Sequence, residues 1–404
     1  MLPIQRTAPR AVEFGIYRDG DNNLDDSQSE VLDQAEQVSA QDRSVQFTVE
    51  DSTYNNDEAG GGLTTQRYTV QDGSDAPFNP NARGIDMALE KNLARFVART
   101  LDNAQSARAK QTWIDLVDHG AGDGGGLEAD SFGKTIMTMP QMAQAIEDGV
   151  KMHAQAHPED AGRSVDGVVA NQCLMASLGF ADALSHAGVK WLAASPETMV
   201  SPGVPSDVAH AIAAHTSDEH AMASAVVNDV MDYRYGIGRF SYSPAAAFDV
   251  LDVGRSTVAP VEQSVKALND AIAADGAQAA RIRSDAAHVR GMARIPDATP
   301  DMPWHADRPA IAVYDSLAKD AKLDATVRTA AAKAETAVRG MVLAHGESRS
   351  FAPFGGTSYS DAAGPTVHFP VNSAQVDPWA PRVSETQNRF FAETDAAAAE
   401  RVVA

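Results

Sequence analysis

The chain has 404 residues, 44% of them hydrophobic and 22% charged, which are the proportions of an ordinary globular protein and exclude wholesale disorder. A formal net charge of −22 repels polyanions, and no basic stripe offsets it, so nucleic acid is excluded as an expected partner. No run of 18 apolar residues occurs and the first residues carry no apolar leader, so a cytoplasmic monomer with no membrane partner is expected, export of a trimmed precursor being the alternative.

In chain order, β-rich stretches run over residues 12–17 and 44–49. A helical pattern follows, with Ile85, Leu89, Leu93, Phe96 and Val97 near the 3.6 period, and then a strand over 112–117. Met142, Ile146 and Val150 mark another helix before a strand over 165–170. Strand-like 190–194, helices over 208–215 and 221–232, and a strand over 246–251 complete a series of about six strands. Strands alternating with helices predict parallel crossovers in a doubly wound α/β sheet. Beyond it the chain turns Ala-rich and helical, over 261–273 and 325–343, before a strand-like 366–371. Residues 297–304 and 355–364 read as loops. The division expected is a catalytic domain over 12–256 and a helical and strand-bearing region over 257–404 packed on it.

Two strand ends carry chemistry. The stretch TWIDLV runs into Asp118, His119, Gly120 and a glycine-rich loop, and the carboxyl edge of a parallel strand is where open α/β sheets place ligands. The next strand, VDGVVA, ends in Asn171, Gln172 and Cys173, the only cysteine of the chain. An apolar helical pattern follows, so Cys173 is expected at a helix start, where the helix dipole lowers a thiol's pKa. A lone cysteine beside apolar residues is otherwise a small buried hydrophobe. Consecutive parallel strands lie adjacent, which brings His119 and Cys173 together.

The segments DHGAGDGG, NQCLMASLGFADAL and WLAASPETMVSPGVP, with the early YRDGDNNLDD and the late AHGESRS and AAGPTVHFP, resemble the clostripain-like cysteine peptidases. That resemblance implies a caspase-like three-layer α/β sandwich with a mainly parallel central sheet, and a helix-rich C-terminal region. It implies an endopeptidase acting on peptide or protein substrates through a His119/Cys173 dyad. The backbone N–H groups of Gly120 and Cys173 would hold the oxyanion, and no metal or other cofactor would be required. Asn171 stands where that family has an acid at the base of the S1 pocket, so Glu197 is the candidate to supply the charge for Arg or Lys at P1. A neutral P1 preference, an acyl transferase and a catalytically silent binding protein are the alternatives.

Asp19, Asp21, Asn23, Asp25 and Glu30 fall on the spacing of a calcium loop, but Leu24 occupies the position which that pattern reserves for Gly. The stretch is therefore read as a strand-to-helix turn with capping carboxylates, with calcium as the alternative. His153, His157, His186, His210, His215 and His220 are read as surface or core histidines. Asp118 is kept out of the catalytic set, because adjacent residues of an extended segment face opposite ways.

Overall fold

The computed structural model describes residues 9–55, 62–77, 83–132, 135–237, 240–274, 276–292, 306–348, 359, 362–372 and 375. Its axis is β1 (Val12–Asp19), every residue of which is buried. Val12, Phe14 and Ile16 turn to one face and Tyr17 to the other, the period-2 alternation of a strand covered on both sides. Gly15 lies on the Tyr17 face, where an added Cβ would stand 2.9 Å from Ile114 and 3.0 Å from Phe96.

Eight further strands complete one sheet: β2 (Val45–Asn55), β3 (Gly62–Gln71), β4 (Ser74–Pro77), β5 (Gln111–Val117), β6 (Gly167–Asn171), β7 (Trp191–Ala194), β8 (Ala247–Asp252) and β9 (Val342–Glu347). They lie in the order β9-β8-β7-β6-β5-β1-β2-β3-β4. The centre, from β2 through β1, β5 and β6 to β7, is parallel, and the flanks on both sides are antiparallel. The sheet is thus mainly parallel, as expected, and larger than the six strands anticipated. The polar sequence of β3 hides its alternation, since only Thr65 and Val70 of it are buried. The helical run expected over 325–343 takes in only the first two residues of β9, Val342 and Leu343.

Helices α1 (Val31–Gln41), α5 (Val208–Ala214) and α6 (Glu219–Asp232) bury Val31, Val38, Ile212, Val226 and Val230 against one face. The other face is covered by α2 (Glu90–Ala107), α3 (Met139–Ala156), α4 (Leu178–His186) and, from the C-terminal third, α7 (Arg255–Ala274), α8 (Ala279–Ala287), α9 (Ala310–Lys319) and α10 (Ala325–Arg339). The result is three layers, helix on sheet on helix. Phe96 and Leu93 of α2, Ile146 of α3 and Phe180 of α4 are completely buried there, each worth about 1.5–3 kcal/mol of apolar transfer. Helix α3 starts on a full capping box, Thr138 with Gln141, which satisfies two of the amide groups that a helix start leaves unbonded.

Residues beyond 256 add β9 to the sheet and share one core with α2, α3 and α4. The strand expected over 366–371 is observed as Thr366–His368, paired with Asp307–Pro309 rather than with the main sheet. Of the expected loops, 297–304 lies outside the described residues, as does 355–364 except for Tyr359 and 362–364. Among the described residues no helix is long and apolar enough to cross a membrane.

Candidate active site

Strands β5 and β6 are hydrogen-bonded neighbours in parallel register, and Val117 pairs with Asn171 as the last rung. His119 and Cys173 each stand two residues past that rung, side by side at the carboxyl edge of the sheet. The two chain ends are laced together beyond it. Asp118 N donates to Asn171 O at 3.4 Å, and Gln172 Nε2 donates to His119 O at 3.0 Å. Gly120 packs its backbone on that of Cys173. A Cβ there would come within 2.9 Å of Cys173 N and 2.8 Å of Gln172 Cβ, so only glycine allows this approach.

The imidazole of His119 is half-buried, and its Nε2 stands 2.6 Å from Asn23 Oδ1. With the proton on Nε2 that contact is a hydrogen bond to Asn23, and Nδ1 is the nitrogen left to exchange protons. Burial holds His119 below its ordinary pKa, against the pull of the Glu128 and Asp130 carboxylates. Asp118 builds the loop beneath. It accepts from His119 N at 2.6 Å, from Asn22 Nδ2 at 2.6 Å and from Glu128 N. Burial, reinforced by Asp19, pushes the Asp118 carboxyl well above the usual range.

Cys173 does not begin a helix. Leu174 adopts a left-handed φ of 66° in a turn, and the chain beyond it runs along the segment after β7, with Leu174 N donating to Glu197 O and Ala176 N to Ser195 O. Helix α4 starts only at Leu178, capped by Ser177. The thiol therefore lacks the helix-dipole assistance expected from the sequence. Burial drives its pKa up, the N–H of Met199 opposes this, and the Glu197 carboxylate adds to the rise. The Sγ accepts from Met199 N at 3.2 Å and lies 3.8 Å from Met199 O.

Asn171 and Glu197 are both buried, Glu197 completely. Asn171 is bonded twice to Val204, accepting from its N–H at 2.8 Å and donating to its carbonyl at 3.2 Å. Glu197 Oε1 accepts from Thr198 N at 2.8 Å. One strand over, Asp115 is a buried acid whose pKa is raised well above the ordinary range by burial, with Asn171 acting against this.

The five residues on the calcium-loop spacing go to separate partners. Asp19 accepts from Asp21 N, Asp21 from Ser131 N, and Asp25 from Arg18 and from Tyr54 N. Asn23 goes to His119, and Glu30 sits exposed at the start of α1. Together with Asn22, Asp26 and Asp130, several of these residues line a cleft of about 450 Å³ on the His119 side. On the other side, Thr366 N donates to Ala176 O, and Asp307 lies so close to Gly122 that a Cβ there would meet its Oδ2 at 2.7 Å. The partners not found from sequence are Asn22, Asn23, Gln172 and Met199. Gln172, next to the cysteine, is the one that local sequence could have flagged.

This is the caspase-like α/β fold of the C11, or clostripain-like, cysteine proteases. A secreted C11 cysteine protease from Bacteroides thetaiotaomicron, iotapain, is similar with a TM-score of 0.65 at 14% identity, over 96% of this chain and 100% of that one. A secreted C11 cysteine protease from the same organism, in complex with an irreversible peptide inhibitor, gives 0.65 at 12% identity, over 96% and 99% of the two chains. An inactive zymogen C11 protease from Parabacteroides distasonis gives 0.60 at 12% identity, over 96% and 99%. No protein-family model matches the sequence, and no curated protein matches it.

Proposed function

We propose that the protein is a cysteine endopeptidase using Cys173 as nucleophile and His119 as acid and base. The observation carrying this is the shared register of β5 and β6, which leaves the two residues equally far past one rung at the ligand edge of the sheet. The fold it shares with the C11 proteases, one of them bound to a peptide inhibitor, supports the same reading.

With the thiol raised and the imidazole lowered, the resting pair is neutral. In the first half-reaction the Sγ proton passes to His119 as sulfur bonds to the scissile carbonyl carbon. The N–H groups of Gly120 and Cys173 receive the oxyanion, and His119 delivers the proton to the departing amine. Water then attacks the thioester, giving one proton to His119, which returns it to sulfur as the acid product leaves.

For the substrate we propose Arg or Lys at P1. Glu197, whose charge already acts on the Cys173 thiol, and the net charge of −22 support a cationic side chain. The proposal is tested on purified full-length protein with Arg, Lys, Gln and Asn substrates. Cys173→Ala and His119→Ala are each expected to abolish hydrolysis while circular dichroism stays unchanged, and Glu197→Gln to lower the Arg and Lys rates selectively. Comparable activity in either dyad variant overturns the dyad. Preference for Gln or Asn in the unmodified protein overturns the P1 assignment alone.

A further inference from the structure

At the opposite, amino edge of the sheet, where α2 leads into β5 and α3 into β6, the structure assigns a zinc-binding site to Asp102, His153 and His157. This inference does not depend on the peptidase reading. His153 and His157 are one helical turn apart on α3 and its end, so they present their rings together. Asp102 of α2 closes the triangle. Its Oδ1 is 2.7 Å from His153 Nδ1 and 3.4 Å from His157 Nε2, and the three atoms lie within 4.8 Å of one another. Ligand atoms held at about 2.0–2.1 Å around a tetrahedral zinc stand about 3.3 Å apart, which the 3.4 Å separation matches and the 2.7 Å one approaches.

The outer shell matches as well. A metal-bound imidazole almost always points its second nitrogen at a carboxylate or carbonyl, which fixes its tautomer. Here each ring has its own carboxylate. His153 Nε2 is 3.4 Å from Asp160 Oδ2, and His157 Nδ1 is 3.3 Å from Glu159 Oε1. Those acids are anchored in turn, Asp160 by Arg163 Nε at 2.5 Å and Glu159 by Gln105 Nε2 at 2.8 Å. Asp102, Glu159 and Asp160 set three carboxylates here against the Arg163 guanidinium, a balance suited to a dication. The His153 side chain is wholly buried, whereas His157 is 34% and Asp102 44% exposed. One side is therefore open to a water as fourth ligand. Among the described residues the other cluster of this kind, Asp182, His186 and Glu262, already holds a cation, because Arg255 clamps Glu262 through both guanidinium nitrogens.

Two nitrogens and one oxygen suit zinc better than calcium or magnesium, which prefer all-oxygen shells. The ion would tie the ends of α2 and α3 and the 158–160 turn together, bracing the crossover between the His119 and Cys173 strands. The test uses the full-length Cys173→Ala protein, so that the thiol cannot take the metal, stripped with chelator and titrated with Zn²⁺ by calorimetry and with Co²⁺ by visible absorption. One equivalent should bind, Co²⁺ should give the intense bands of a four-coordinate site, and Tm should rise by a few degrees. His157→Ala and Asp102→Ala, both at part-exposed positions, should lose the one-equivalent signal, and Glu159→Gln should weaken affinity about 10- to 100-fold. Absence of stoichiometric uptake, or equal uptake by His157→Ala with its circular dichroism intact, overturns the site and leaves the two histidines as ion-pair partners of the acids.

Discussion

An imidazole that takes the thiol proton and then gives it to the leaving amine works only if its other nitrogen is held. Asn23 does this at 2.6 Å, so Asn23→Ala should lower kcat/KM about 10- to 100-fold, a share of the roughly 10² to 10⁴ that a positioned acid–base group supplies. The acid limb of the pH profile should move as well, which a purely structural role would not cause. An unchanged profile and rate would remove Asn23 from the machinery. The thiol gives a second test. Its iodoacetamide labelling should have a midpoint above the ordinary ~8.5 of cysteine, and Glu197→Gln, by removing a negative charge near sulfur, should bring that midpoint down. A midpoint at or below the ordinary value in the unmodified protein contradicts the desolvated thiol. His119 and Cys173 could be singled out from sequence because each ends a strong β pattern. Asn23 stood out only through the calcium-loop spacing, not as the partner of His119, and Met199 not at all, because both arrive from loops whose approach depends on the whole sheet.

The parallel core depends on close fits between neighbouring elements. Gly167 opens β6 directly beneath the ring of Trp113 on β5, and an added Cβ would run into three of its ring atoms. That ring is itself stacked on Trp191 of β7, with centroids 5.7 Å apart and planes 6° from parallel. That Cβ would stand 2.4–2.5 Å from the Trp113 ring atoms, so Gly167→Ala should cost about 1–3 kcal/mol, the usual range for overpacking. Urea unfolding monitored by Trp fluorescence measures it, and a variant as stable as the parent would mean that the strand shifts freely. The central strands were legible because their residues are apolar and buried on both faces. The flanks were not. In β3, Gly62–Gln71, most side chains are half-exposed, and β9 follows α10 so closely that only Gly340, capping the helix, and Met341 separate the two patterns.

Across the whole molecule, buried acids couple folding to protons. Burial raises Glu13 and Asp19 from ordinary values of about 4 to about 8. Between those limits the folded chain keeps protons that the unfolded chain releases, so this stabilisation is complete below about pH 4 and is lost as pH climbs through 8. Glu262 acts oppositely, because its bonds to Arg255 and Asp182 outweigh burial and hold it at about 2. Its contribution is present above its ordinary value and fades as pH falls toward 2. Tm should therefore be highest near pH 4 to 5 and fall toward pH 8, less steeply in Glu13→Gln. Scanning calorimetry from pH 4 to 9 reads this, and a Tm that is flat or rising over that range sinks it. The strand order also carries a timetable. From β1 outward, β5, β6, β7, β8 and β9 follow the direction of synthesis, so the sheet can grow at one open edge as the ribosome delivers each strand. His119 and Cys173 can meet once β6 emerges, but β8, with Ala247 to Leu251 wholly buried, stays unpaired on its outer side until residue 342 arrives. For that interval the nascent chain exposes an unpaired strand edge, the kind on which chains associate, and a ribosome stalled between 252 and 342 would hold it in the form most prone to aggregate.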